Sequence, residues 1–484
     1  MKHVLNFING VYSEPFGGNY FENTNPATGE VISLVARSDS RDLEKALNAA
    51  QDAFKKWSLL LQDKRSAVLY RIAEGIESRL EELAQAESRD TGKPITFART
   101  IDIPRAAANF KFFAAAAAQF ASESHEMPGE AINYTLRQAI GTVGCISPWN
   151  LPLYLFTWKI APALATGNCV IAKPSELSPT TAHLLGEICN AAGLPPGVLN
   201  ILQGFGAEIG EPIVCHPEIK AISFTGGTAT GARIAQVTAP LFKKISLELG
   251  GKNPCLIFAD CDYPHALKQV VRLAFSNSGQ ICLCGSRILV EKPLYERFKR
   301  DLVQKIQELK PSDPSLAESR MGSLISKAHL KKVDDYVRLA QQEGGQVLCG
   351  GRIAELGGEF QNGAFYLPTL IEGLGPDARC NLEEIFGPVV TLQKFSTDQE
   401  ALELANASQY GLAATVWTEN LSRAHRLGAE LKTGIVWINC WLLRDLRTPF
   451  GGMNQSGLGR EGGWEAMRFF TEAKNVCINF GPRS

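Results

Sequence analysis

Two doubly wound α/β domains with a small β extension are the architecture this sequence predicts, on three observations. The 484 residues exceed what one hydrophobic core ordinarily serves, since chains split at roughly 150 residues per domain. Between Thr142 and Ala239, short apolar runs ending in Gly, Pro or Ser alternate with helical spacing, the pattern of a parallel sheet wrapped by helices. A second series of the same kind starts at Leu256.

In chain order, a strand is expected near Val4 to Ile8, then a turn at Asn9-Gly10, and NTNPATGE (Asn23 to Glu30) reads as loop. Leu43, Leu47, Ala50, Phe54 and Trp57 recur at helical spacing, with Asp39 or Ser40 available as cap. One helix is expected over Lys64 to Arg89. After the loop TGKP another follows near Phe97 to Ala121, which Pro104 must start or kink. Ile132 to Gln138 alternates like a strand. TVGCISPW, VIAKPSE, VLNILQG and AISFTGG read as parallel strands, with helices between them near Ile160 to Thr166, Thr180 to Ala192, Ala207 to Cys215 and Gly231 to Ala239. The second series comprises CLIFADCD, a long helix, RILVEK, a helix over Pro293 to Glu308, and strands at Gly345 to Cys349, Val389 to Phe395, Ala413 to Thr418 and Gly434 to Asn439. NVCINF closes the chain as an edge strand and can pair with Ile132 to Gln138 outside either core, which suggests an oligomer.

A formal net charge of -1, a pI of about 6.7 and 45% hydrophobic residues exclude a strongly basic nucleic-acid binder and a typical disordered chain. Twelve cysteines show no CxxC pairing and no Cys/His spacing of a metal site, so they read as reduced thiols and no metal is expected. The first ten residues lack the continuous apolar segment of a signal peptide, and no apolar run reaches the ~18 residues of a membrane span. The expectation is a cytoplasmic protein acting on small molecules.

Several polar residues sit where chemistry could use them. Cys282, in FSNSGQICLCGSR, follows a Gly-Gln pair in a turn-rich segment and is a candidate nucleophile. Both it and Cys284 are equally readable as small buried apolar groups. Glu248, charged among apolar residues just before two glycines, is a candidate general base. Asn150, held beside prolines in SPWNLPL, is a candidate oxyanion donor. Each is also open to a structural reading, as a capping carboxylate or a turn residue. FTGGTATG (Phe224 to Gly231) brings a strand end, two glycines and a helix start together. It is neither GxGxxG nor a P-loop, so a phosphate site and a plain tight turn remain open. Lys173 and Glu176 in AKPSE could bind ribose hydroxyls or form a solvated pair; a carboxylate there would repel a 2′-phosphate.

Taken together, SPWNLPL, AKPSE, FTGGTATG, LELGGKNP, FSNSGQICLC, EEIFGPV and PFGGMNQSGLGRE, in this order along nearly the whole chain, resemble the aldehyde dehydrogenase superfamily. The resemblance implies Cys282 as nucleophile, Glu248 as general base, and Asn150 with the Cys282 backbone N–H as oxyanion hole. It implies an NAD site made by Ile146, Ser147, Pro148, Trp149, Lys173, Glu176, Gly206, Gly210, Phe224, Gly226, Gly227, Leu249, Glu384 and Phe386. Gly227 stands where the family often has Ser; a backbone N–H remains there. The implied division is a Rossmann-like NAD-binding domain over 1–120 and 140–250, a catalytic domain over 251–450, and oligomerisation strands over 121–139 and 470–484, in a homodimer or homotetramer.

A narrower likeness, in NCWLLRDLRTPFGG and DIPRAAANF, is to the muconic semialdehyde dehydrogenases of that superfamily. It implies a substrate with a carboxylate beside the aldehyde, clamped by Arg105 and Arg444, with Arg447 as an alternative to Arg444. The competing expectations are a general or betaine-aldehyde-type dehydrogenase and a non-catalytic binding protein on the same fold.

Overall fold

The computed structural model describes residues 2–481, so residue 1 and residues 482–484 of the expected terminal segments lie outside the described residues. The first sheet has eight strands, and its five central ones are parallel, in the order Lys244–Glu248, Ile219–Thr225, Thr142–Ile146, Cys169–Lys173 and Leu199–Ile201. Chain order reverses between Thr142–Ile146 and Ile219–Thr225, which opens a crevice at their carboxyl ends. These strands are apolar and almost wholly buried, as strands covered by helices on both faces must be.

The second sheet has seven strands in the order Gln346–Cys349, Thr369–Glu372, Val389–Phe395, Gly285–Glu291, Asn253–Ile257, Ala413–Trp417 and Ile435–Ile438. Only the first of these runs antiparallel to its neighbour. The chain leaves the carboxyl end of Lys244–Glu248 and enters the amino end of Asn253–Ile257 through Leu249-Gly250-Gly251-Lys252. Carboxyl ends of the first sheet therefore meet amino ends of the second, and the polar loops of both converge there.

Several elements differ from expectation. Asn23 and Thr24 belong to the strand Tyr20–Thr24, so the loop begins at Asn25. The single helix expected over Lys64 to Arg89 is two, Gln62–Ser78 and Leu80–Thr91, broken at Arg79, whose guanidinium reaches Glu82 and Glu187. No Gly or Pro marks that break. The next helical stretch begins with a short turn, Ile95–Phe97, and a π-helical turn, Ala98–Asp102; Pro104 then starts the helix Ile103–Ala118 rather than kinking it. The helix expected at Ile160 begins earlier, at Pro152, because every residue of Pro152–Ala165 is buried and no polar face sets its period. Past residue 450 the chain returns to the first sheet. Gly457–Leu458 pairs with Leu247 and Glu248, and Ala466, Met467 and Phe470 enter the first core.

Outside both cores, Thr471–Asn479 pairs antiparallel with Ala131–Ala139 along nine residues, and Ser124–Met127 lies on the other side. No helix among the described residues is long and apolar enough to cross a membrane.

Candidate functional site

The loop bearing Cys282 is shaped by strain that its neighbours hold in place. After the helix Tyr263–Phe275, Asn277, Ser278 and Gly279 all adopt positive φ, at 50°, 55° and 73°. Two non-glycine residues in that region cost of order 1–3 kcal/mol each and persist only where the surroundings fix them. Here Asn277 Nδ2 donates to the Asn150 carbonyl at 3.1 Å, Ser278 Oγ donates to the Gly322 carbonyl at 2.9 Å, and Gln280 Oε1 accepts from Ile325 N–H at 3.0 Å. Gly279 is obligatory, since a Cβ there would stand 2.2 Å from the Gly387 carbonyl oxygen. Past the turn, Asn253 Nδ2 donates to the Cys282 carbonyl at 2.6 Å and Trp441 Nε1 to that of Leu283 at 3.1 Å. Burial pushes the Cys282 thiol above its ordinary range, and the Glu384 and Glu248 carboxylates add to it. Cys284 is buried in the second core, in keeping with a packing thiol.

Asn150 is anchored on both sides. Its Nδ2 donates to the Gln280 carbonyl at 3.0 Å, which places the amide against the Cys282 loop. Its own carbonyl accepts from Lys93 Nζ at 2.9 Å. Lys93 is only 1% exposed and ion-paired to the fully buried Glu87 and Asp102, and Glu87 also accepts from Leu153 N–H at 3.2 Å. Asp102 is pushed well above the usual carboxylate range by burial, despite Lys93, and shares a hydrogen bond with Glu87. Reading TGKP as plain loop missed this lysine; nothing local in the sequence marks it as buried.

Glu248 ends its strand 4% exposed, and its Oε1 is buried without a hydrogen-bond partner. Burial and the neighbouring Glu461 raise its pKa well above the usual carboxylate range, while Lys159, Arg444 and Arg460 oppose the rise. A Cβ at Gly451 would lie 2.7 Å from Glu248 Oε1, so the glycine keeps that oxygen free of the chain. Glu461 is itself paired with Lys159 at 2.7 Å.

A cavity of about 270 Å³ opens beside Cys282, lined by Pro148, Trp149, Asn150, Gly226, Gly227, Leu249, Glu384 and Phe386, all expected site residues. Thr225, Gly250, His329 and Lys332 line it too and were not expected. His329 arrives on the helix Lys327–Gln342, its Nε2 2.7 Å from the Phe386 carbonyl, and burial lowers its pKa to about 4, so the ring is neutral. Phe386 sits at φ 61° with its ring edge-on to Trp149. Glu384 Oε1 accepts from Gly251 N–H at 2.9 Å.

Other expected residues frame this cavity without lining it. Ile146 and Phe224 are buried at their strand ends, with the Phe224 ring directly beneath Gly226. Ser147 N–H donates to the Lys173 carbonyl at 3.1 Å. One strand further on, Lys173 Nζ pairs with Glu176 at 3.2 Å, and Gly206–Gly210 forms a π-helical turn packed near the Lys173 stem. Strand ends, a glycine turn and a Lys-Glu pair thus lie in one line along the crevice. A Cβ added at Gly206 or Gly227 would meet nothing within 4 Å. That open line suits an extended dinucleotide, and Ser at position 227 would be sterically tolerated.

Outside this cavity lining, the two arginines converge on Tyr154, and Arg444 is near enough to Cys282 to lower its thiol. Arg444 Nη1 donates to Tyr154 Oη at 2.6 Å, and its guanidinium stacks 3.7 Å from the Phe450 ring centre. The Arg105 guanidinium lies 5.5 Å over the Tyr154 ring. Arg444 Nη2 is buried with no partner. Arg447, the alternative, is 80% exposed and forked onto Asp445.

Comparison with known proteins agrees with this arrangement. The model of the aldehyde dehydrogenase family matches residues 13–476. The chain is 48% identical to 2-aminomuconic semialdehyde dehydrogenase of Mus musculus, over 98% of both chains. It is 46% identical to 2-hydroxymuconic semialdehyde dehydrogenase of Pseudomonas sp. (strain CF600), over 99% of this chain and all of that one. Among solved structures, the NAD+ complex of an aldehyde dehydrogenase from Bacillus cereus superposes with a TM-score of 0.97 at 37% identity, covering 99% of this chain and 97% of that one. With five of its seven motifs lining one cavity at the half-buried Cys282 and a family match over almost its full length, this chain belongs to the aldehyde dehydrogenase family.

Proposed function

We propose that the protein oxidises an unsaturated semialdehyde carrying a carboxylate, of the 2-aminomuconate or 2-hydroxymuconate semialdehyde type, to the acid with NAD. The observation that carries the substrate class is the pair Arg105 and Arg444 meeting at Tyr154, with Arg444 Nη2 buried and unpartnered. A guanidinium nitrogen left bare in a protein interior is costly, and a carboxylate would satisfy it with a charged hydrogen bond. The names of the two relatives at 46–48% identity support the same class.

Trp149, Glu384 and Phe386 would hold the nicotinamide end of NAD, the Gly226-Gly227 turn its pyrophosphate, and Lys173 with Glu176 a ribose. When bound, NAD supplies the hydride acceptor. Cys282 gives up its proton to solvent, and the thiolate so formed adds to the aldehyde carbon. The resulting alkoxide is met by Asn150 Nδ2 and the Cys282 N–H, donors worth roughly 3–4 kcal/mol each in such sites. Once Cys282 carries the acyl group as a thioester, Glu248 takes a proton from water, which attacks the carbonyl and releases the acid and the thiol. On this reading, 1–120 and 140–250 form the cofactor domain and 251–450 the catalytic domain, and the sheet of Ala131–Ala139 and Thr471–Asn479 joins subunits of a homodimer or homotetramer.

The rival betaine-aldehyde reading requires a cationic substrate beside Arg444. Comparing kcat/KM for 2-hydroxymuconate semialdehyde and betaine aldehyde separates the two. Arg105→Ala and Arg444→Ala should each lower only the former, by about 10- to 100-fold, as expected for one charged hydrogen bond of roughly 1.5–3 kcal/mol. Equal losses on both aldehydes would dispose of the clamp. The non-catalytic reading predicts no NADH from any aldehyde, and it sits poorly with Cys282 and Asn150 lining one cavity while the Glu248 carboxylate is close enough to raise the Cys282 thiol.

A further inference from the structure

A second cleft, of about 320 Å³, lies behind the Cys282 loop, and its lining is chemically lopsided. Its floor is apolar, made by Phe97, Ile101, Phe275 and Met321. Its rim carries Lys268, Arg272 and Arg320, all exposed, and no acidic residue lines it. None of these three cations forms an ion pair among the described residues, although most arginines on this surface do. Lys268 and Arg272 are four residues apart on the helix Tyr263–Phe275 and so share one face. Gln269, between them, adds an amide whose Oε1 is buried without a partner.

The cleft borders the reaction site on three sides. Asn277 lines it and also donates to the Asn150 carbonyl. Thr100 and Ile101 line it from the π-helical turn immediately before Arg105. Arg272 lies 5.4 Å over the Trp441 ring, whose Nε1 binds the Leu283 carbonyl next to Cys282.

We propose that this cleft is an entry subsite for small, flat, unsaturated carboxylates, holding the carboxylate at the cationic rim and the hydrocarbon body on the apolar floor before transfer to Arg105 and Arg444. This deepens the proposed function and rests on its carboxylated substrate. An apolar wall topped by unpaired cations discriminates by charge, because a neutral aldehyde gains nothing from the rim.

The test uses the full-length protein with Arg272→Gln/Arg320→Gln and, as a charge-keeping control, Arg272→Lys/Arg320→Lys. For the Gln pair, the ratio of kcat/KM for 2-hydroxymuconate semialdehyde over benzaldehyde should fall about tenfold, through KM. Raised salt should narrow the gap between the Gln pair and wild type, and the Lys pair should retain most of the wild-type ratio. Calorimetric titration with cis,cis-muconate, which needs no turnover, should show about tenfold weaker binding to the Gln pair. An unaltered ratio, an equal fall in the Lys pair, or muconate binding that is absent in wild type or indifferent to the Gln pair overturns the entry subsite. Arg105→Ala separates the two ideas. If it loses selectivity while the Gln pair does not, the clamp stands and the entry subsite falls. If wild type oxidises no carboxylated semialdehyde, the proposed function falls and muconate binding alone decides the cleft.

Discussion

Glu248 combines deep burial, an unpartnered oxygen and a neighbouring carboxylate at Glu461, and all three favour its protonated form. A general base must be deprotonated, so a raised pKa moves the acid limb of the rate to higher pH than the ~4.3 of an ordinary glutamate. Turnover should fall as the pH drops through that raised value. Glu248→Gln should still release one equivalent of NADH in a rapid burst but lose about 10²- to 10⁴-fold in steady-state rate, with the thioester trapped on Cys282. Stopped-flow NADH absorbance with mass spectrometry of the quenched enzyme reads both, and undiminished steady turnover would remove Glu248 from the mechanism. At this scale the sequence marks Glu248, the proposed base, because a charge between apolar residues before two glycines is conspicuous. It does not mark Glu461, which pairs with Lys159 across 302 positions.

Among the elements, the stretch from Leu80 to Ala118 does more than its pattern suggests. The π-helical turn Ala98–Asp102 shifts the helical register just before Pro104, and in the resulting fold Asp102 meets Lys93 while Arg105 reaches Tyr154. The proposed oxyanion donor and the proposed clamp thus share one support, since Lys93 holds the Asn150 carbonyl. Lys93→Met removes the cation paired with two buried carboxyl groups and should cost about 3–5 kcal/mol, the usual penalty for breaking a buried pair. A lowered urea midpoint, together with a kcat loss exceeding any KM change, is the expected result; an unchanged midpoint would mean that the carboxyl groups are paired elsewhere. Helical spacing predicted Ser40–Trp57 and its Asp39 cap well, because an amphipathic face and a local capping bond are both written in neighbouring residues. The break at Arg79 was not legible, since it coincides with ion pairs to Glu82 and Glu187, the second of these far along the chain.

Across the whole molecule, the three-stranded extension leaves Thr471–Asn479 as an edge with exposed apolar neighbours such as Ile478 and Phe480. A free edge of nine residues is a liability unless another chain covers it. Cys477→Pro should therefore break the proposed homodimer or homotetramer toward the 52.7 kDa single chain, as measured by size exclusion with light scattering; an intact multimer would place the subunit contact elsewhere. What the sequence determined by itself is the local grammar: alternating apolar strands and helices, glycine turns, and polar residues displayed at strand ends. Those features specified the α/β class and marked Cys282, Glu248 and Asn150, whereas Trp149, Glu384 and Phe386 came from the resemblance of whole motifs to the aldehyde dehydrogenase superfamily. Tertiary structure alone decided that the carboxyl ends of one sheet face the amino ends of the other, which gathers Cys282, Asn150, Gly226 and Glu384 around one cavity. It also decided that His329 joins them, that Lys93 is buried beneath Asn150, and that Arg444 rather than Arg447 turns inward. The physical reason is that burial and long-range pairing depend on how whole sheets pack, whereas strand, turn and helix patterns depend on residues within a few positions of one another.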